Sequence, residues 1–413
     1  MIIKDTGNQT KAKEIYSCRF CGGELQLILS LGSMPNVNYF PHPEEIGEEK
    51  LYPLNFCICQ SCMLAQLAPI VPSELIFREY HYVSGVSKPL YDHLRSVASE
   101  CMKLIPDRAK KVLDIGCNDG TLLSFFAKRG YKTLGIDPAK TVVPLARAKG
   151  IPVLTEFFTQ QEAIKIRRDF GRFDLIIATH TLANIVDLRD FLSGVTSLLM
   201  PEGYIVIEVG SLKEMVDRVQ FDALYHEHYS YFSPESLSHI LHVMGFSIVR
   251  LEKNAFHGGS LRIFTKKNSQ NQKSKIKSQN NTDQEVSLQE LREFAKKVRK
   301  YKSELRTILA SLKGKRVVGF GAPAKGVTLL RYCGITKKQI AYVVDSTPLK
   351  QGRLMPGVHI PIFPEETLWN DPEPVDAILI LSWNYKEEIL RKIRKNFKKV
   401  PKIILPFSEE LGL

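Results

Sequence analysis

Short apolar runs alternate with amphipathic stretches through the middle of the chain. Lys111–Ile115, Lys132–Ile136, a stretch near Val153, FDLIIAT (173–179) and GYIVIEV (203–209) read as strands. Each is a brief apolar run bounded by glycine or polar positions. Helical spacing lies between them, as in Thr121–Arg129. This alternation predicts a parallel sheet with right-handed crossovers, closed by a further strand, SLRIFTK (260–266). The pattern then restarts. A helix over Val286–Leu312 leads into KGKRVVGFGAPAKG, and AYVVDST (341–347) and AILILSW (377–383) read as two more strands. Between the two α/β units lies NSQNQKSKIKSQNNTDQ (268–284), which is too polar to build a core and reads as a linker or surface loop. The expected organisation is a cysteine-bearing module over 13–85, one α/β domain over 86–267, the linker over 268–284, and a second α/β domain over 285–413.

At 413 residues, with 44% apolar and 24% charged residues, the chain has an ordinary globular composition, which excludes wholesale disorder and fibrous repeats. Its apolar runs are far shorter than a membrane span, and the first residues lack the apolar core of a signal peptide. A cytoplasmic protein with no membrane partner is expected. The net charge of +13 collects at 266–277, 296–302 and 391–402. Aromatic residues are not interleaved with these clusters, so they read as solvated faces and no nucleic-acid partner is expected.

Eight cysteines in a chain of this kind point to metal before disulfides. Cys18-x-x-Cys21 and Cys59-x-x-Cys62 form two equal knuckles that can supply four thiolates to one tetrahedral zinc. Cys57 is then a spare. A closed site of four thiolates is structural, because no coordination position stays open.

The two α/β units each carry a glycine turn between strand and helix. In VLDIGCNDG, Asp114, Gly116, Asn118 and Gly120 follow the strand, and Asp137 ends the next strand 21 residues after Gly116. Glycine permits the sharp turn and a close backbone approach. A carboxylate at the second strand end can take both hydroxyls of a ribose. The loop lacks GxGxxG, and one short Asp-x-Gly turn favours S-adenosylmethionine over a dinucleotide. In VVGFGAPAKG, Gly319, Gly321 and Lys325 again follow a strand, with Asp345 24 residues after Gly321. Backbone amides and that lysine suit a phosphate or diphosphate.

The densest ionisable cluster is Tyr225-His226-Glu227-His228-Tyr229. If extended, Tyr225, Glu227 and Tyr229 share one face and the two histidines the other; if looped, all can converge. Histidine is the commonest general base near neutral pH.

Taken in order, the paired CxxC knuckles, VLDIGCNDGTLL, FDALYHEHYSYFS, HGGSLR (257–262), GFGAPAKG, DSTPLKQGRLMPGVHIPI and LILSWNY resemble the sugar C-methyltransferases of deoxysugar biosynthesis. The resemblance runs from Cys18 to about Pro406, without the 268–284 stretch. It implies a structural zinc module, a class I methyltransferase (Rossmann-like) domain that binds S-adenosylmethionine, and a C-terminal Rossmann-like domain that helps bind a nucleotide-linked sugar. The implied substrate is an NDP-4-keto-deoxysugar methylated at C-3. The family's catalytic tyrosine and histidine match Tyr225 and His228, with Glu227 between them. Tyr82, Asn184, His257, Gly321, Lys325 and Asn384 are the candidate sugar and nucleotide contacts. The chemistry agrees. A ketone makes the neighbouring carbon's proton removable as an enolate, which needs a base, assigned to His228. Tyr225 then binds the enolate oxygen or positions the sugar, Glu227 orients a histidine or the sugar, and Lys325 with the second glycine loop takes the diphosphate.

Some relatives carry a second histidine where this chain has Asn184. That role is absent here or has moved to His180. Alternatives are a C-methyltransferase of a non-sugar small molecule and a nucleic-acid methyltransferase with a zinc module. Against the latter, Arg19 is the sole Lys or Arg between Cys18 and Lys50. No dedicated dimer helix is recognisable, so a monomer is expected.

Overall fold

The computed structural model describes residues 17–77, 83–86, 88–106, 110–267 and 286–407. Tyr82 and the 268–284 stretch lie outside them.

Among the described residues, sixteen strands form three sheets. The first is antiparallel, ordered β1 (Leu25–Met34), β2 (Tyr52–Cys59), β3 (Ala65–Leu67) and β9 (Ser230–Tyr231). The last of these strands lies far along the chain, in the histidine-rich segment. The second sheet has seven strands: β4 (Lys111–Ile115), β5 (Lys132–Ile136), β6 (Val153–Leu154), β7 (Phe173–Thr179), β8 (Leu199–Gly210), β10 (Phe246–Asn254) and β11 (Ser260–Lys267). Their spatial order is β10-β11-β8-β7-β4-β5-β6, with β4 to β8 parallel and the two late strands antiparallel. This is the class I methyltransferase arrangement. The third sheet is wholly parallel, ordered β14 (Ile362–Phe363), β13 (Val343–Val344), β12 (Val317–Phe320), β15 (Ala377–Ile380) and β16 (Lys402–Ile404).

The central strands are apolar along their whole length because helices cover both faces of the parallel sheets. Leu175, Ile176, Ile177 and Ala178 are all fully buried. The strand β10 was not read from the sequence: it carries Arg250, Glu252 and Lys253 among its apolar positions, the signature of a solvated sheet edge. The helix Leu288–Ser311 starts at a capping box, with Ser287 and Glu290 bonding each other's backbone N–H. It buries Leu291, Phe294, Val298, Tyr301, Leu305 and Leu309 along one stripe. Phe294 of this helix meets Phe56 of β2 edge-to-face, and Phe56 meets Tyr231 of β9 the same way. One apolar core therefore joins the zinc module, the histidine-rich segment and the C-terminal domain. None of the described helices is long and apolar enough to cross a membrane.

Candidate active site

The carboxyl ends of β4 and β12 open onto one continuous cavity of about 1020 Å³. That is at the upper limit for one small ligand and gives room for two.

At the β4 end, Gly116 turns with φ +77°, and a Cβ there would collide with Thr181 Oγ1. Asp137 receives the Asn118 N–H on Oδ2 and the Ala139 N–H on Oδ1, both at 2.9 Å. Each oxygen keeps a lone pair, enough for two ribose hydroxyls. Burial, together with the nearby Asp137, raises the Asp114 carboxyl to about 8. Its Oδ1 has no partner among the described residues, although the side chain lines the cavity. An orphaned acidic acceptor there suits a cationic ligand group, so the corner fits S-adenosylmethionine. Gly120 serves packing: it caps the helix Thr121–Ala127 at φ +72°, and a Cβ there would lie 2.9 Å from Ala146 Cβ.

The β12 end repeats this geometry. Gly321 turns with φ +88°, and a Cβ there would collide with Ser382 Oγ. Asp345 receives the Ala322 N–H on Oδ2 at 2.6 Å and the Thr347 N–H on Oδ1 at 2.8 Å. Gly116 N–H donates to Ile136 O at 2.8 Å, and Gly321 N–H donates to Val344 O at 2.7 Å. Each donor is thus the turn glycine, and each acceptor sits just before the aspartate. Lys350 Nζ bonds Ala322 O at 2.8 Å, and Asn384 also lines the cavity. Lys325, expected at a diphosphate, turns its ammonium toward the other domain. Its Nζ donates to His257 O at 3.2 Å and lies 4.5 Å from the centre of the Trp383 ring.

The histidine-rich segment runs between the two corners. It is neither an extended strand nor a full convergence. A turn closed by the His228 N–H to Tyr225 O bond, 3.0 Å, puts Tyr225, Glu227 and His228 on the cavity. His226 points into the zinc module, where its Nε2 meets Pro53 O at 3.3 Å and its ring meets Tyr52. Tyr229 enters the core, with its hydroxyl donating to Val71 O at 2.8 Å. His228 Nδ1 meets Ala223 O at 3.1 Å, which fixes the proton on Nδ1 and leaves the Nε2 lone pair free. Burial lowers His228 to about 3, with Lys325 and His180 contributing in the same direction. Glu227 accepts a hydrogen bond from Asn38 Nδ2 of the zinc module.

Behind this loop lies a buried network invisible from the sequence. Glu208 of β8 is fully buried. Its Oε1 meets His93 Nε2 at 2.6 Å and His180 Nε2 at 3.1 Å, and its Oε2 receives Arg262 Nε at 2.6 Å. Burial alone would raise the Glu208 carboxyl, but the His180 and His93 hydrogen bonds and charges hold it well below the usual range. His180 and His257 both sit at φ +53° with their rings 4.9 Å apart on the cavity wall. Asn184 also lines the cavity, and its Oδ1 is a buried acceptor without a partner among the described residues. The sequence reading missed Asn38, His93, Glu208 and Lys350. Their partners lie tens to hundreds of positions away, and no local motif marks them.

The four knuckle cysteines converge, with all their sulfurs within 4.8 Å of one another. Cys18 and Cys62 are 3.7 Å apart, and Cys21 and Cys59 are 3.4 Å apart. A tetrahedral zinc with bonds of about 2.3 Å sets its sulfurs about 3.8 Å apart, so the cluster fits the ion. The sulfurs accept N–H groups from Phe20, Gly23 and Ser61, each at 3.4 Å, and Gln66 Nε2 reaches Cys18 at 3.1 Å. These donors favour thiolates. Cys57 stays outside the cluster, and burial raises its thiol to about 11. Arg19, between the first two ligands, donates to Val186 O at 2.9 Å, to Ser230 Oγ at 3.1 Å and to Tyr229 O.

Family models match three successive stretches: a zinc binding domain over 18–77, a methyltransferase domain over 91–251, and a C-methyltransferase C-terminal domain over 255–407. The C-methyltransferase NovU of Streptomyces niveus is 30% identical over 412 residues, covering 97% of each chain. A ubiquinone biosynthesis O-methyltransferase of Rhodopseudomonas palustris is 31% identical over 97 residues, which is 24% of this chain and 38% of that one. Among solved structures, magnesium protoporphyrin IX methyltransferase of Synechocystis with bound S-adenosylmethionine aligns with a TM-score of 0.34 and 18% identity. That alignment covers 44% of this chain and 82% of the other.

Proposed function

The chain belongs to the zinc-containing, S-adenosylmethionine-dependent C-methyltransferases, and from that premise we propose that it methylates C-3 of an NDP-4-keto-deoxysugar. The observation that carries the substrate class is the repeated glycine–aspartate corner. One corner serves the methyl donor. The second, in the C-terminal domain, has the same features and opens on the same cavity, with His228 between them. A second nucleoside-bearing ligand with its reactive end toward His228 accounts for both.

S-adenosylmethionine, when bound, supplies an electrophilic methyl carbon. The chain's own residues prepare the nucleophile. His228 is the base: Ala223 O holds its Nδ1–H, so Nε2 faces the cavity unprotonated at neutral pH. Its low proton affinity reflects burial, and an enolate anion formed beside it offsets that cost. Tyr225, whose ring centre lies 4.1 Å from that of His228, binds the enolate oxygen or positions the sugar. Glu227, fixed by Asn38, orients the sugar. Asn184 Oδ1 and His257 face the same space as further sugar contacts. At the far corner Asp345 faces the ribose, and Gly321, Lys350 and Asn384 flank the diphosphate. Positioning of the two ligands supplies much of the rate.

The test is mass spectrometry of products from a panel of NDP-4-keto-deoxysugars with S-adenosylmethionine, using wild type and His228→Ala. The expected result is a sugar heavier by one methylene with wild type and none with the variant. Equal activity in His228→Ala removes it as the base. No product from any member of the panel removes the substrate class.

A further inference from the structure

We propose that Lys325 is a catalytic residue of the enolisation step, its ammonium set against the ketone oxygen next to the carbon that loses its proton. This rests on the substrate class inferred above.

The side chain starts at the glycine turn of the C-terminal domain but crosses to the methyltransferase domain, where it donates a hydrogen bond to His257 O at 3.2 Å. Two of its three N–H donors remain for a ligand. No carboxylate lies within 4.0 Å of Nζ among the described residues, although the residue is half-buried and lines the cavity. Burial makes the ammonium costly, and the charge of Asp222 offsets only part of that cost. Trp383, beneath the ammonium, donates its indole N–H to Asp222 Oδ2 at 2.7 Å. Asp222 adjoins Ala223, whose carbonyl fixes His228. Lys325 and the base are therefore referenced to one short turn, Phe221–Ala223. The helix Ala324–Cys333, which carries Lys325, is also tied to this segment through Thr328 Oγ1, which donates to Leu224 O at 3.2 Å. The positive charge of Lys325 disfavours a protonated His228, so the two groups share one electrostatic environment. Diphosphate recognition would instead need the ammonium beside the Gly321 turn, where Lys350 already sits.

The step balances. The C-3 hydrogen leaves as a proton to His228 Nε2, and its bonding pair becomes the C-3–C-4 π bond. The carbonyl π pair moves to oxygen, and the new negative charge lies against the Lys325 ammonium.

The experiment reads enolisation apart from methyl transfer. Zinc-loaded protein is incubated in D2O with S-adenosylhomocysteine and a thymidine diphosphate 4-keto-deoxysugar that wild type methylates. Deuterium incorporation at C-3 is followed by NMR. Lys325→Met is expected to lower exchange at saturating sugar by about 100-fold, the scale for removing one donor to a developing oxyanion. Affinity for thymidine diphosphate should change less than threefold. Lys325→Arg, which keeps the charge, should recover part of the exchange, and this guards against a folding defect in the methionine variant. Near-wild-type exchange at saturation, with thymidine diphosphate bound tenfold more weakly, overturns the proposal and makes Lys325 a diphosphate ligand. If wild type methylates no ketosugar, the substrate reading itself fails and the inference falls with it.

Discussion

The guanidinium of Arg19, flanked by zinc ligands Cys18 and Cys21, donates to the carbonyl of Tyr229, the residue after His228. The zinc knuckle thereby touches the backbone of the segment that carries His228. β9 extends the contact by pairing with β3, whose Ala65 faces Tyr231. This strand links the zinc module to the histidine-rich segment, although no zinc ligand lines the cavity, and it predicts a coupling of metal binding to catalysis.

Arg19→Ala should therefore reduce kcat while zinc content, measured by metal analysis, stays at one ion per chain. The carbonyls of Val186 and Tyr229 would lose a buried donor, a loss of about 1–3 kcal/mol in unfolding free energy. Stripping the zinc with a chelator should abolish turnover and lower the melting temperature further than the substitution does. Full activity in metal-free protein would contradict the coupling.

The two glycine corners should fail independently. Gly116→Ala is expected to weaken S-adenosylhomocysteine binding at least tenfold, with nucleoside diphosphate binding retained. Gly321→Ala should do the reverse, because its Cβ collides with Ser382 rather than with Thr181. Calorimetric titration of both variants with both ligands tests this. Loss of the same ligand in both variants would undo the assignment.

His226 predicts an acid limb in stability. Burial lowers it to about 4 from an ordinary value of 6.5. Between those values the unfolded chain takes up a proton that the folded chain refuses, so stability falls as the pH drops from 6.5 toward 4. The contribution is roughly 3 kcal/mol over the window. Replacement by Gln should flatten the dependence of the denaturation midpoint in that range. Its ring faces Tyr52 rather than the cavity, so kcat at neutral pH should change much less than in His228→Ala.

Glu208 works at lower pH. Its folded pKa is depressed, so its contribution is complete above the unfolded value of about 4.5 and is lost as pH falls through the folded value. Glu208→Gln should remove that acid dependence. At neutral pH it should cost about 3–5 kcal/mol, because Arg262 is left buried without its carboxylate. Urea unfolding at pH 7 and pH 4 measures both effects.

Asn184→Leu should separate stability from function. Removing a buried acceptor without a partner should leave the melting temperature unchanged or raise it, while KM for the sugar rises. A lower melting temperature with an unchanged KM would assign Asn184 to packing.

What could be read in advance follows from the range of each interaction. The knuckles, the glycine turns and the aspartates that close them are local patterns, and VLDIGCNDG and VVGFG display the strand, turn and helix in sequence order. The Tyr225–Tyr229 cluster was visible, but its geometry was not. Period-two alternation cannot show that a turn sends His226 one way and Glu227 and His228 the other. The Glu208 network stayed hidden because GYIVIEV reads simply as a buried strand, and its partners His93 and Arg262 lie 115 and 54 residues away. Lys325 stands out in the sequence by its place in a glycine loop. The direction of a four-carbon side chain is set by Trp383 and His257, which no spacing rule connects to it.

The pairing of β9 with β3 also governs how such chains can be recombined. Cutting at the boundaries drawn by sequence would leave the segment carrying His228 in one fragment and its supporting strand in another. A methyltransferase domain expressed alone would thus expose the β9 edge and the apolar side of Tyr231, inviting self-association before any chemistry. Chimeras that exchange the C-terminal sheet should therefore be joined after β11 and before the helix Leu288–Ser311, with the interface residues of that helix kept from the acceptor. The exchangeable cassette is the β12–β16 sheet; the zinc module and the methyltransferase domain, joined by the β3–β9 pairing, have to be inherited together.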